Sequence, residues 1–136
     1  MQSPHPSIAG LGGDQQSSLI GQSCVRPGQA KCTFGTGGML DVVTGGPGPA
    51  HAGRDANGTF PIVAWSVDGR ITWGAEAIML TAGTSIDWLV EDIGLLERAA
   101  DSDAVAASVP DTGGTVFVPA LMGLGTPDWD YGARGT

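Results

Sequence analysis

Lysine is nearly missing. Lys31 is the only one in 136 residues, and with five arginines it faces fourteen aspartates and glutamates, for a formal net charge of -8. A surface so short of cations offers no sequence-independent attraction to nucleic acid or to an anionic membrane. The deficit is steepest from Glu76 to Asp130, where ten carboxylates meet one basic residue, Arg98. That is the composition of a solvated surface. Any polyanion bound here, a nucleotide included, must find its positive field in backbone amides and a divalent cation. Cysteine is scarce too: Cys24 and Cys32 are the only two. Their spacing, with no second pair and no histidine nearby, fits no zinc pattern, and reduced thiols are expected rather than a disulfide. No apolar run is long enough to cross a bilayer, and Met1–Gly10 lacks a basic segment followed by an apolar core. No membrane span and a cytoplasmic location are therefore expected.

Glycine is what the chain has in excess, 23 residues of it, and its placement matters more than its amount. From Ala30 to Thr44, two β-leaning runs flank Gly35-Thr36-Gly37-Gly38. This reads as a β-hairpin whose turn can aim several N–H groups at one point. Such a concavity, with the Thr36 hydroxyl in it, suits phosphate oxygens. Taken alone, the turn is equally a plain connection between strands.

In chain order, Gln2–Pro6 reads as a loose end, Ser7–Leu11 as a short buried strand and Asp14–Gln22 as a helix. Asp14 falls at the helix mouth. It serves there either as an N-cap or, at the carboxyl end of a strand in an α/β sheet, as a residue aimed into a ligand crevice. Gly45–Gly58 is a surface loop carrying His51, a solvated histidine with no evident partner. Phe60–Val67 and Arg70–Trp73 around Asp68-Gly69 form the clearest hairpin signal in the chain. From Ala75 to Ile93 the period changes to that of a helix, with Ile86, Leu89, Val90 and Ile93 on its core face. Gly83 interrupts it, at a cost of roughly 1 kcal/mol against alanine, which a close approach by backbone or ligand would explain. Leu95–Val109 reads as a second helix stopped by Pro110, Thr115–Ala120 as a short buried strand, and the remainder as a glycine-studded loop. The class is therefore α+β or α/β: strand and helix, antiparallel hairpins, then helices and a further strand.

Several stretches resemble one family. Gly12-Gly13-Asp14-Gln15-Gln16, Gly21-Gln22 and Lys31-Cys32-Thr33-Phe34-Gly35-Thr36-Gly37 come first. Ala82–Leu89, Val116–Ala120, Gly123–Asp130 and Ala133-Arg134-Gly135 follow in the same order. Together they are similar to the middle of the FGGY carbohydrate kinases. The resemblance implies an actin-like ATPase (ribonuclease H-like) fold, with residues 1–27 ending the first domain and 28–136 opening the second. It implies phosphoryl transfer from ATP with Mg2+ to a polyol or sugar hydroxyl, glycerol foremost, and a homo-oligomeric complete enzyme. A pentulose acceptor and a non-catalytic binding module are the alternatives. By the same resemblance Asp14 is the general base, Asp14, Gln15 and Met39 line the polyol, and Gly35, Thr36, Gly37, Gly83 and Asp87 contact the nucleotide. Asp87 stands where the family often has glutamine, and Met39 where it often has phenylalanine. The segment alone is expected to be inactive, because catalysis in such a cleft depends on positioning by both domains.

Overall fold

A computed structural model describes residue 8 and residues 10–135. Helix α1 (Asp14–Gly21) is followed by strands β1 (Ala30–Phe34), β2 (Gly38–Val43), β3 (Phe60–Val67) and β4 (Arg70–Met79). Helix α2 (Gly83–Glu91) comes next, then a single 3-10 turn (Ala99–Asp101) that leads into the short α3 (Ser102–Ala106). The strands form one antiparallel sheet in the order β1-β2-β4-β3. Both expected hairpins are present. Asp68 and Gly69 turn the second with φ of 51° and 74°, the doubly left-handed turn that an Asp-Gly pair favours.

The core lies between α1 and the sheet. Leu19, the one buried residue of α1, packs with Cys24, Val43 and Ala64, and Ile62 and Trp65 close around them. Ala64 sits where the β3–β4 register shifts between Val63 and Trp65. Successive side chains alternate across a strand, so Met39, Asp41 and Val43 share the α1 side of β2. Both cysteines are free thiols, as expected, and the Cys24 thiol donates to the Ala30 carbonyl at 3.3 Å.

Six expectations need correction. Arg70–Trp73 is only the start of β4, because Ala75 to Met79 stays paired with β2 from Val42 to Gly38. Cross-strand pairing thus overrides the helical period read there. Gly83 consequently opens α2 instead of interrupting a longer helix. On α2 no residue is buried, Ile93 lies beyond its end and is exposed, and Leu96 is the buried side chain of that region. Leu95–Val109 forms only the 3-10 turn and α3. Thr115–Ala120 is no strand: Val116 is 81 % exposed, and only Ala120 is buried. At the amino end, Ser7, Ala9 and the expected loose end Gln2–Pro6 lie outside the described residues. The flanking Ile8 and Leu11 are 84 % and 95 % exposed, outside any strand.

Candidate functional site

The first hairpin turn is tied to the start of α2 by backbone alone. The Gly35 amide donates to the Gly37 carbonyl at 2.9 Å and closes the turn. The Ala82 and Gly83 amides donate to the Thr36 and Gly35 carbonyls at 2.9 and 2.8 Å. Thr84 adds its hydroxyl to the Thr36 carbonyl at 3.1 Å. The first amides of a helix have no partner within it; here the turn's carbonyls accept from Gly83, and more loosely from Thr84 at 3.4 Å. The Thr36 and Gly37 amides make no hydrogen bond to protein among the described residues.

Two glycines permit this contact. A Cβ on Gly83 would stand 2.6 Å from the Gly35 carbonyl oxygen, and one on Gly37 would stand 2.7 Å from that of Met79. The close approach anticipated at Gly83 is therefore made by the backbone of the turn.

A cavity of about 430 Å³ opens beside this junction, lined by Phe34, Gly35, Thr36, Gly83, Ile86, Asp87, Ala99 and Ser102. It gathers four of the five residues expected at the nucleotide, and leaves out Gly37, which is turned against β4. No lysine or arginine lines it. Asp87 contributes the cavity's one carboxylate, on the exposed face of α2.

The three residues expected at the polyol are less tightly organised. Gly13 is the N-cap of α1, and no side chain caps that helix. Asp14 is instead its first residue, exposed, and its Oδ1 accepts from the neighbouring Gln15 amide at 2.8 Å. The capping role fails because the side chain starts one position too late. Gln15 is half-buried, and its Oε1 is buried with no hydrogen-bond partner among the described residues. Met39 is half-buried in β2 between Thr33 and Ile78. It shares the sheet face that carries α1.

A cluster that the sequence reading passed over lies one row farther from the turn. Lys31, Asp41 and Glu76 stand opposite one another on β1, β2 and β4. The Lys31 Nζ lies 2.6 Å from Asp41 Oδ2, both side chains being closed to solvent. Burial and the Asp41 carboxylate raise the Glu76 carboxyl above its ordinary value, against a smaller pull downward from Lys31. An aspartate inside the apolar run Met39–Val43, together with a solitary lysine, was the available signal.

His51 is exposed, its Nε2 3.4 Å from the Arg54 carbonyl, and joins none of these groups. Among the described residues, no helix is long and apolar enough to cross a membrane.

Residues 30–136 match the profile of the C-terminal domain of the FGGY family of carbohydrate kinases. The glycerol kinase of Stenotrophomonas maltophilia (strain R551-3) is 45 % identical over 132 residues, covering 96 % of this chain and 26 % of that protein. The glycerol kinase of Gloeobacter violaceus is 47 % identical over 128 residues, covering 94 % and 25 %. Among solved structures, Plasmodium falciparum glycerol kinase with ADP superposes with a TM-score of 0.73 at 29 % identity, over 90 % of this chain and 24 % of that one. A xylulose kinase from Lactobacillus acidophilus shares the fold, with a TM-score of 0.69 at 22 % identity over 88 % and 23 %. The chain spans about a quarter of the length of these relatives. The fold expected from the resemblance, part of an actin-like ATPase unit, is the one these kinases carry. On the profile match and the shared fold together, this chain belongs to the FGGY family of carbohydrate kinases.

Proposed function

We propose that the chain supplies part of the active cleft of an ATP-dependent polyol kinase that converts glycerol to glycerol 3-phosphate. Residues 1–27 close its first domain and residues 28–136 open its second. The carrying observation is the cavity where the first hairpin turn meets α2, which collects Gly35, Thr36, Gly83 and Asp87. This arrangement occurs in a chain 45 % identical to an enzyme named glycerol kinase. In this reading the complete enzyme is cytoplasmic and homo-oligomeric.

The donor set fits phosphate. Among the described residues the Thr36 and Gly37 amides make no hydrogen bond to protein, and Thr36 lines the cavity with Gly37 just outside its wall. Oriented amides bind anions without a charged side chain, which matters where the lining holds no cation. In this reading they hold the phosphates of ATP, while Asp87 accepts hydrogen bonds from the rest of the nucleotide. Magnesium suits the reading as a companion of the nucleotide in phosphoryl transfer. When bound, it neutralises phosphate charge during transfer. Asp14 is free to act as general base because its carboxylate is exposed and uncommitted to a helix cap. Its partner Gln15 carries a buried amide oxygen without a donor, which a polyol O–H would satisfy. Met39, an adaptable thioether side chain, gives the apolar wall.

The test is a coupled ADP-release assay on the complete kinase that contains this segment, offering glycerol, xylulose and ribulose in turn. Turnover with glycerol above the two pentuloses is expected. Turnover with a pentulose alone moves the acceptor assignment, and no turnover with any of the three removes the catalytic reading.

A further inference from the structure

The sheet carries a charged cluster that the proposed chemistry does not use. Lys31, Asp41 and Glu76 form one cross-strand row over β1, β2 and β4, directly behind the row Thr33, Met39 and Ile78 that adjoins the turn. Lys31 is 3 % exposed and Asp41 1 %. The Lys31 ammonium meets Asp41 Oδ2 at 2.6 Å as a charge contact, and it donates to Thr33 Oγ1 at 2.7 Å, linking the two rows. Asp41 Oδ1 is buried, and no hydrogen-bond donor among the described residues reaches it.

A buried carboxylate oxygen without a donor is costly, and a neighbour that can supply one relieves it. The side chain directly opposite Asp41 is Glu76. As a carboxylate it has no proton to give and adds a second negative charge; as an acid it has one O–H to donate. We propose that Glu76 is protonated in the folded protein and donates its O–H to Asp41 Oδ1. Lys31, Asp41 and Glu76 then form a charge-neutral lock across β1, β2 and β4, which loss of the proton to solvent releases. One ammonium, one carboxylate and one carboxylic acid sum to zero. Deprotonation leaves two facing carboxylates for a single ammonium.

Asp41 and, behind it, Lys31 are the charges that act on Glu76. From β3 the opposing residue is Phe60, which is uncharged. Beyond Phe60, the Arg54 guanidinium lies 6.0 Å from the ring centroid and only 4.9 Å from that of Trp129. The residue packed on the next row is Thr126, whose hydroxyl accepts from the Ile78 amide at 3.0 Å.

The lock positions groups and does not touch substrate. It fixes the register of the strands that present Met39 and the turn, and a slip by one residue would invert every side chain on those strands. The upward shift of the Glu76 carboxyl agrees, and its sign sets the pH dependence. Between the unfolded and the raised folded values the native state binds more protons than the unfolded chain. The stability contributed by Glu76 is therefore full below its ordinary value of 4.5 and is lost as pH rises through the folded one.

Two measurements on the complete kinase that contains this segment test this without any phosphorylation assay, so they stand apart from the proposed activity. In a carbon-13 carboxyl NMR titration, the Glu76 side chain is expected to titrate above 4.5; a midpoint at or below that value overturns the lock. In urea unfolding at pH 5 and pH 8, the wild type is expected to lose midpoint on going to pH 8. Glu76→Gln, which keeps an N–H donor toward Asp41, should lose less than half as much, whereas Glu76→Leu should start lower at pH 5. A Glu76→Gln protein with the full wild-type slope overturns the proposal.

Discussion

The two ends of the proposed cleft are made of different material. At the nucleotide end, main-chain hydrogen bonds join Gly35 and Thr36 to Ala82 and Gly83, with the Thr84 hydroxyl in support, and the groups left free are main-chain amides. At the proposed polyol end the candidates are side chains: Asp14 stands exposed on the first turn of α1, and Gln15 carries an oxygen with no partner among the described residues. A site made of backbone is rigid once the strands pair, because the same bonds that form the fold form the site. A site made of side chains needs further walls to orient them. This difference explains why one end is a defined cavity in this chain and the other is a set of residues on a common face.

Substitutions can break that contrast, and the largest effect is expected at the side-chain end. In the complete kinase, Asp14→Asn should lower kcat by about 10²- to 10⁴-fold, the usual contribution of a general base. ATP affinity, measured by titration calorimetry, should remain near wild type; wild-type turnover would remove Asp14 from the chemistry. Lys31→Met attacks the frame behind both ends by leaving Asp41 buried and unpaired. A loss of about 3–5 kcal/mol in urea unfolding is expected, and an unchanged midpoint would mean that the pair contributes nothing. Gly83→Ala tests the backbone end, since its Cβ would press on the Gly35 carbonyl. It should cost about 1–3 kcal/mol of stability and weaken ATP binding, with glycerol affinity spared. Equal loss of both ligands would show that the two ends are not separable. The smallest effect is expected for Thr36→Val. It removes one hydroxyl and leaves the amides, so ATP affinity should fall by about 0.5–1.5 kcal/mol, the net worth of a single hydrogen bond.

How far the residues could be read follows the same division. Both hairpins were legible because glycine and Asp-Gly turns lie between β-leaning runs, and local chemistry decides such turns. Of the five residues that the resemblance put at the nucleotide, Gly35, Thr36, Gly83 and Asp87 line the cavity beside α2 and Gly37 does not. The helix boundary was not legible. Ala75 to Met79 has a helical period yet pairs with β2, and pairing between distant segments leaves no local mark. The strand expected at Thr115–Ala120 failed for a related reason: its apolar residues suit a sheet, but no described strand offers them a ladder.

What the sequence by itself determined is the set of turns, the acidic and cation-poor character, and the order of motifs that marks an FGGY kinase. Local backbone preference, net charge and motif spacing are properties of neighbours along the chain. Tertiary structure alone decided where β4 ends and α2 begins, which turn carbonyls take up the first amides of α2, and that the solitary lysine is sealed beside Asp41. Those outcomes depend on which distant strands pair, because pairing sets both the register that brings Lys31, Asp41 and Glu76 into one row and the exclusion of water around them.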